Sequence, residues 1–93
     1  MVTMEISYKG LPLRLTKSAY YELKELGMDL YDVVEILEEG YKCSTCERKE
    51  GVIEKCLDID NKTIKVVIAK SYEFWSEREV YAIIHVGKFK VKK

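Results

Sequence analysis

The chain has 93 residues, which gives room for one domain with one hydrophobic core over residues 1–93. Hydrophobic residues make up 47% of the sequence, which excludes wholesale disorder, and no apolar run reaches the ~18 residues that a membrane-spanning helix needs. Lys and Arg equal Asp and Glu at 16 each, which excludes a uniformly basic or acidic surface. The first residues lack the basic segment and apolar core of a signal peptide, so we expect a cytoplasmic protein that does not associate with membranes.

Two short strands are predicted first, because apolar and polar residues alternate over residues 4–8 and 11–15. Lys9 and Gly10 between them are typical of a hairpin turn. Pro12 lacks a backbone N–H, so the second strand should be short or lie at a sheet edge.

Two amphipathic helices follow. Thr16 is the predicted N-cap of the first helix, and Gly27 should end it in a left-handed conformation. Asp29 is the predicted N-cap of the second helix, which Gly40 should end. The short link between the helices predicts an αα-hairpin.

Three longer strands are predicted at residues 52–59, 62–70 and 80–86. A turn at Asp60 and Asn61 places Ile59 opposite Lys62 and brings apolar positions of the first two strands together. We therefore expect an α+β fold, an antiparallel β-meander sheet with an αα-hairpin packed on one face, in the order ββααβββ. The predicted core consists of Leu23, Leu26, Val33, Leu37, Leu57, Ile64, Val66, Ile68 and Ile84.

Three aromatic residues, Tyr72, Phe74 and Trp75, lie in the predicted loop between the last two strands. We expect them to pack back over the edge of the core. The alternative is a contact patch for a partner.

Three cysteines could provide a metal site. Cys43 and Cys46 have the C-x2-C spacing of half a zinc site, and Cys56 is the third predicted ligand. His85 is a fourth candidate, although the strand spacing in a meander places it far from Cys56. A disulfide and three free thiols are the alternatives to zinc. The absence of Gln and the abundance of Lys and Glu are typical of proteins from hot environments, where intracellular disulfides are less rare.

The predicted register places Lys65, Tyr81 and His85 on one face of the sheet, away from the helices. A cation, a hydroxyl and a base are sufficient to cleave a phosphodiester through a 2′-hydroxyl. These three residues are the candidate catalytic set. The alternative for His85 is an ordinary structural histidine at the edge of the core.

The charges are separated along the chain. Residues 1–61 contain 8 bases and 13 acids, whereas residues 62–93 contain 8 bases and 3 acids. Lys65, Lys88 and Lys90 are therefore the candidate nucleic-acid-binding residues. A self-complementary surface that pairs with another copy of the chain is the alternative.

The order of elements resembles that of the RelE/BrnT toxin-like superfamily, in particular a related domain of unknown function. The resemblance is carried by Ala19, Leu23 and Gly27 and by the segment 33–37 of the second helix. It implies RNA as a partner, an antitoxin-like protein as a second partner, and ribonuclease activity. The polar positions of the family pattern hold Ser18, Glu22 and Leu26 here, so an inactive relative is an alternative. The alternative from another functional class is a protein-interaction or assembly domain that forms a homodimer, with a cysteine loop held by zinc or a disulfide.

Overall fold

The computed structural model describes residues 6–42 and 51–90, with only the backbone of Lys90. The described elements are two helices and six strands. In chain order they are β1 (Ser7–Tyr8), β2 (Leu11–Leu15), α1 (Lys17–Leu26), α2 (Leu30–Glu39), β3 (Tyr41–Lys42), β4 (Val52–Ile59), β5 (Lys62–Glu73) and β6 (Arg78–Lys90). Neither helix is long and apolar enough to cross a membrane.

The helix ends confirm the predicted caps. The Thr16 hydroxyl accepts a hydrogen bond from the Ala19 amide, and Gly27 adopts the left-handed conformation at φ 68°. Asp29 and Asp32 exchange backbone and side-chain hydrogen bonds in a capping box at the start of α2. These local interactions satisfy N–H groups that a helix leaves free, which is why sequence alone located both helices.

The predicted antiparallel meander is wrong. The six strands lie in the order β1-β2-β6-β5-β4-β3, and β2 pairs with β6 in parallel, so the sheet is mixed. The structure also contains the short strand β3, which pairs with β4 and is missing from the predicted order ββααβββ. Alternation of apolar residues is the same for both strand directions, and therefore it could not reveal the parallel pair.

One face of the sheet packs against both helices. Ile64, Val66 and Ile68 of β5 contribute to this core, as do buried residues of both helices, including Leu23 and Leu37. Leu26 and Leu57 are only partly buried at its margin. The apolar alternation of β5 thus faces the helices as predicted.

The strand register is confirmed between β4 and β5, where Ile59 pairs with Lys62. The register between β5 and β6 shifts by one residue at a bulge, which separates the pair Val67–His85 from the pair Ile68–Ile83. The extra residue is Ile84, which was predicted to be buried and is 42% exposed. A bulge adds one residue to one strand, so it reverses the faces of all residues beyond it.

The β5–β6 hairpin extends to a four-residue turn, residues 74–77, which we call the hairpin tip. Phe74 is 79% exposed and Trp75 is 84% exposed, and neighbouring Tyr72 is 49% exposed. The expectation that these aromatic residues cover the core edge is therefore wrong. The tip lies beyond the last residues of the sheet that pack against the helices.

Candidate functional site

The candidate site lies on the sheet face turned away from the helices, which we call the outer face. The register places Lys65 and Val67 of β5 there, together with His85 of β6 and with Glu54 and Cys56 of β4. Glu54 is only 7% exposed, which is unusual for a carboxylate, and Cys56 and Val67 beside it are also buried.

His85 forms the clearest chemical arrangement of the outer face. Its Nδ1 lies 3.0 Å from Oε2 of Glu22 on α1. The other Glu22 oxygen accepts a hydrogen bond from the Val86 amide at 3.0 Å, which fixes the carboxylate at the edge of β6. A carboxylate on Nδ1 orients the imidazole and leaves Nε2 available as an acceptor or donor. Since the His85 side chain is 43% exposed, solvent and ligands can reach it.

Gly87 makes room for this histidine. A Cβ atom on Gly87 would lie 2.8 Å from His85 Nε2, so the ring lies above the glycine. Gly87 is directly opposite Lys65 in the register. Nε2 therefore lies over the strand position that faces Lys65, and the two side chains are diagonal neighbours across the strands.

Lys65 is itself paired. Its ammonium nitrogen lies 3.4 Å from Glu54 Oε2, and the lysine side chain is 25% exposed. A phosphate on the outer face would have to share Lys65 with Glu54, which reduces the attraction that the lysine can supply.

Tyr81 does not join Lys65 and His85. It lies on the helix side of the sheet, is 7% exposed, and packs with its ring centroid 6.1 Å from that of Tyr8. The prediction that Tyr81 and His85 share a face is wrong, because the bulge at Ile84 places residues 81 and 85 on opposite faces. The structure brings together two of the three predicted catalytic residues.

The candidate nucleic-acid-binding lysines are also divided. Lys88 pairs with Ile64 and lines a surface pocket on the helix side, whereas Lys65 lies on the outer face. The Lys90 backbone pairs with Lys62 at the same end of the hairpin. Lys65 and Lys88 therefore do not form one basic surface.

The cysteine prediction falls partly outside the described residues. Cys43 and Cys46 lie outside the described residues, whereas Cys56 of β4 is part of a disulfide. A disulfide sulfur is not a thiolate, so a zinc ion on Cys56 requires the reduced protein. Within residues 6–42 and 51–90 no three His, Cys, Asp or Glu side chains are arranged to hold a metal ion.

A hydrogen-bond network lies beside Cys56. The Thr63 hydroxyl donates to Asp58 at 2.7 Å and the Tyr41 hydroxyl donates to the same oxygen at 2.9 Å. Both hydrogen bonds lower the pKa of Asp58, and the bond from Thr63 has the larger effect. The bond to Asp58 raises the pKa of Tyr41. The network links side chains of β3, β4 and β5.

A second network supports the hairpin. Arg14 of β2 donates to both Glu73 oxygens, at 2.7 Å from Nε and 3.2 Å from a terminal nitrogen. Ser76 in the hairpin tip donates to Glu73 Oε1 at 2.6 Å. The Arg14 bond, followed by the Ser76 bond, lowers the pKa of Glu73. This carboxylate connects the tip to β2.

Glu22 and Glu54 are the site residues that sequence reasoning missed. Glu22 lies in an ordinary polar position of an amphipathic helix, 63 residues from His85, and the only sequence signal for this pair was the excess of acids in residues 1–61 and of bases in residues 62–93. Glu54 lies 11 residues from Lys65, and the predicted β4–β5 register already placed both on one face, so this pair could have been predicted.

No family model, curated protein or solved structure matches this chain.

Proposed function

We propose that this protein binds RNA on the outer face and cleaves it through the 2′-hydroxyl, as the resemblance to RelE/BrnT-like proteins implies. The observation that carries the proposal is the His85–Glu22 pair, with Nδ1 held at 3.0 Å by the carboxylate and Nε2 available. A base held in one orientation by a second group is the usual arrangement for proton abstraction.

In this mechanism His85 Nε2 takes the proton of a 2′-hydroxyl. The 2′-oxygen attacks phosphorus, the bond from phosphorus to the 5′-oxygen breaks, and the leaving oxygen takes a proton from solvent. Lys65 stabilises the negative charge that develops on the phosphate oxygens. The products carry a 2′,3′-cyclic phosphate and a 5′-hydroxyl. Tyr81 has no role because it lies on the opposite face.

Cleavage of a labelled single-stranded RNA tests the proposal, with DNA of the same sequence as the substrate that lacks the attacking group. His85→Gln should reduce the cleavage rate by roughly 10²–10⁴-fold while RNA binding persists. Glu22→Gln should also reduce the rate, because glutamine can still accept from Val86 but has no charge to orient the imidazole. Glu25→Gln changes an exposed carboxylate on the same helix and is the matched control.

Binding at increasing salt concentration tests the RNA interaction separately. Affinity should fall steeply with salt, because lysine contacts to phosphate release counterions. Lys65 and Lys88 lie on opposite faces of the sheet. If RNA binds to the outer face, Lys65→Ala should therefore lower the RNA affinity more than Lys88→Ala does. Absence of RNA binding even at low salt would overturn the proposal and favour the interaction domain. Binding without cleavage would identify an inactive relative of a ribonuclease.

A further inference from the structure

A surface pocket opens between the two helices and the end of the sheet where β5 begins, and we call it the end pocket. Its volume is about 250 Å³, and its apolar lining consists of Leu26, Met28, Ile36, Ile59 and Ile64. Ile36 and Ile64 are almost completely buried and form its floor, whereas Ile59 is 43% exposed. Sites for drug-sized ligands have volumes of about 300–1,000 Å³, so the end pocket suits a smaller molecule with an apolar part.

Charged side chains of both signs surround this apolar lining. Asp32 and Glu35 belong to α2, whereas Lys62 belongs to β5 and Lys88 belongs to β6. The acids therefore lie in the helix layer and the lysines lie in the sheet layer. Asp60, in the turn between β4 and β5, is the exception. A ligand that complements both layers needs a cationic group toward α2 and an anionic group toward the strands.

The charges of the two layers do not pair with each other directly. Among the described residues, no ion pair includes Glu35, Lys62 or Lys88. Asp32 accepts the Asp29 amide in the capping box of α2. Packed layers of secondary structure lie about 10 Å apart, whereas the atoms of an ion pair lie within about 4 Å of each other. Glu35 and the two lysines can therefore pair with a ligand that reaches from one layer to the other.

We propose that the end pocket binds a small zwitterion about two residues long, with an apolar side chain against the floor of the pocket. Its ammonium group pairs with Glu35, and its carboxylate pairs with Lys62 and Lys88. Two extended residues span about 7 Å, whereas a single amino acid is too short to contact both layers. A dipeptide with free termini and apolar side chains has this chemistry.

This site does not depend on RNA cleavage. The end pocket lies on the helix side of the sheet, whereas His85 and Lys65 lie on the outer face. Failure of the proposed ribonuclease activity would therefore leave this proposal intact, and the reverse is also true.

Isothermal titration calorimetry with leucyl-leucine tests the proposal. The free dipeptide should bind more tightly than its N-acetyl derivative, which lacks the ammonium group, and more tightly than its amide, which lacks the carboxylate. Each block should weaken binding by roughly two- to fivefold, the range for a solvent-exposed charge pair. Free leucine should bind more weakly than the dipeptide. No binding of leucyl-leucine at millimolar concentration, or equal binding of leucine or of either blocked form, would overturn the proposal.

Two further variants assign each charge of the ligand to one layer. Glu35→Gln should weaken binding of the free dipeptide but not of the N-acetyl form, which has no ammonium group to lose a partner. Lys62→Gln combined with Lys88→Gln should weaken binding of the free dipeptide but not of the amide. Glu38→Gln on α2 and Lys70→Gln on β5 are the matched controls, because both positions are exposed and lie outside the pocket lining. Equal losses for free and blocked forms would show that these charges do not contact the ligand as proposed.

Met28→Trp tests the location of the apolar part of the ligand. The larger side chain should fill the end pocket and abolish binding of the dipeptide, with unchanged circular dichroism as the control for folding. Undiminished binding in a folded Met28→Trp protein would place the ligand elsewhere and would overturn the proposal.

Discussion

At the scale of single residues, Glu73 shows how hydrogen bonds hold a carboxylate within the fold. It is a carboxylate with 4% exposure whose pKa is lowered, first by the hydrogen bond from Arg14 and next by the one from Ser76. A group with a lowered folded-state pKa stabilises the protein above its unfolded pKa and loses that contribution as pH falls through the folded pKa.

Glu73→Gln should therefore lower the melting temperature at neutral pH, and the difference from wild type should narrow as the pH falls below the ordinary glutamate pKa of 4.5 and through the lowered pKa of Glu73. Thermal unfolding across this range measures the effect. Glu79→Gln, at an exposed position of the same hairpin, is the control and should show little difference at any pH. If the difference in melting temperature between Glu73→Gln and wild type does not depend on pH, this result would contradict an electrostatic role for Glu73.

At the scale of elements, Gly40 ends α2 as predicted, but in an extended conformation, unlike the left-handed Gly27 that ends α1. The φ of Gly40 is −74°, and its amide donates to the Ile36 carbonyl. A Cβ atom there would collide with that carbonyl and would lie 2.6 Å from the Cys56 carbonyl of β4. Both obstacles are backbone atoms, so the helix end and the strand would have to separate.

Gly40→Ala should consequently destabilise the protein by about 1–3 kcal/mol, the usual cost of overfilling a close contact. Urea denaturation provides the measurement. Glu39→Ala, at the neighbouring exposed position, should change the free energy of unfolding by less than about 0.5 kcal/mol. Wild-type stability in Gly40→Ala would show that α2 and β4 are not packed as closely as described.

The elements also show what sequence could predict and where it failed. The capping residues Thr16 and Asp29 act on neighbouring amides, so both helices were predictable, as was the β4–β5 register from a short turn. The parallel pairing of β2 and the bulge at Ile84 depend on distant contacts. The bulge alone removed Tyr81 from the candidate site, whereas Glu22 entered it through a contact 63 residues away in sequence from His85.

At the scale of the whole molecule, folding brings the acidic and basic parts of the chain together. The pairs Glu22–His85 and Glu54–Lys65 each join an acid from residues 1–61 to a base from residues 62–93. The Glu22–His85 pair is partly exposed, and exposed ion pairs are worth about 0–1 kcal/mol. Glu54 is buried, and for a buried pair the cost of removing the charges from water offsets much of their attraction. Charge therefore helps to set which surfaces meet, and the stability of the fold depends mainly on the core and on covalent links.

The disulfide at Cys56 is the covalent link within this fold. Cys56 is 7% exposed on β4, and the other cysteines of the chain, Cys43 and Cys46, precede it by 13 and 10 residues. A bridge that closes a loop of this length restricts the unfolded chain and stabilises the folded state by about 2–3 kcal/mol. Reduction should therefore lower the free energy of unfolding in urea by that amount.

Thiol counting under denaturing, non-reducing conditions should find one free thiol among the three cysteines. Cys56→Ser is the control: its stability should equal that of the reduced wild type and should not change further with reductant. Three free thiols with one zinc ion per chain would instead support the predicted site at Cys43, Cys46 and Cys56, because zinc binds thiolates and not a disulfide. Three free thiols without metal would leave β4 held by its hydrogen bonds and packing alone, and reductant would then have no effect on stability.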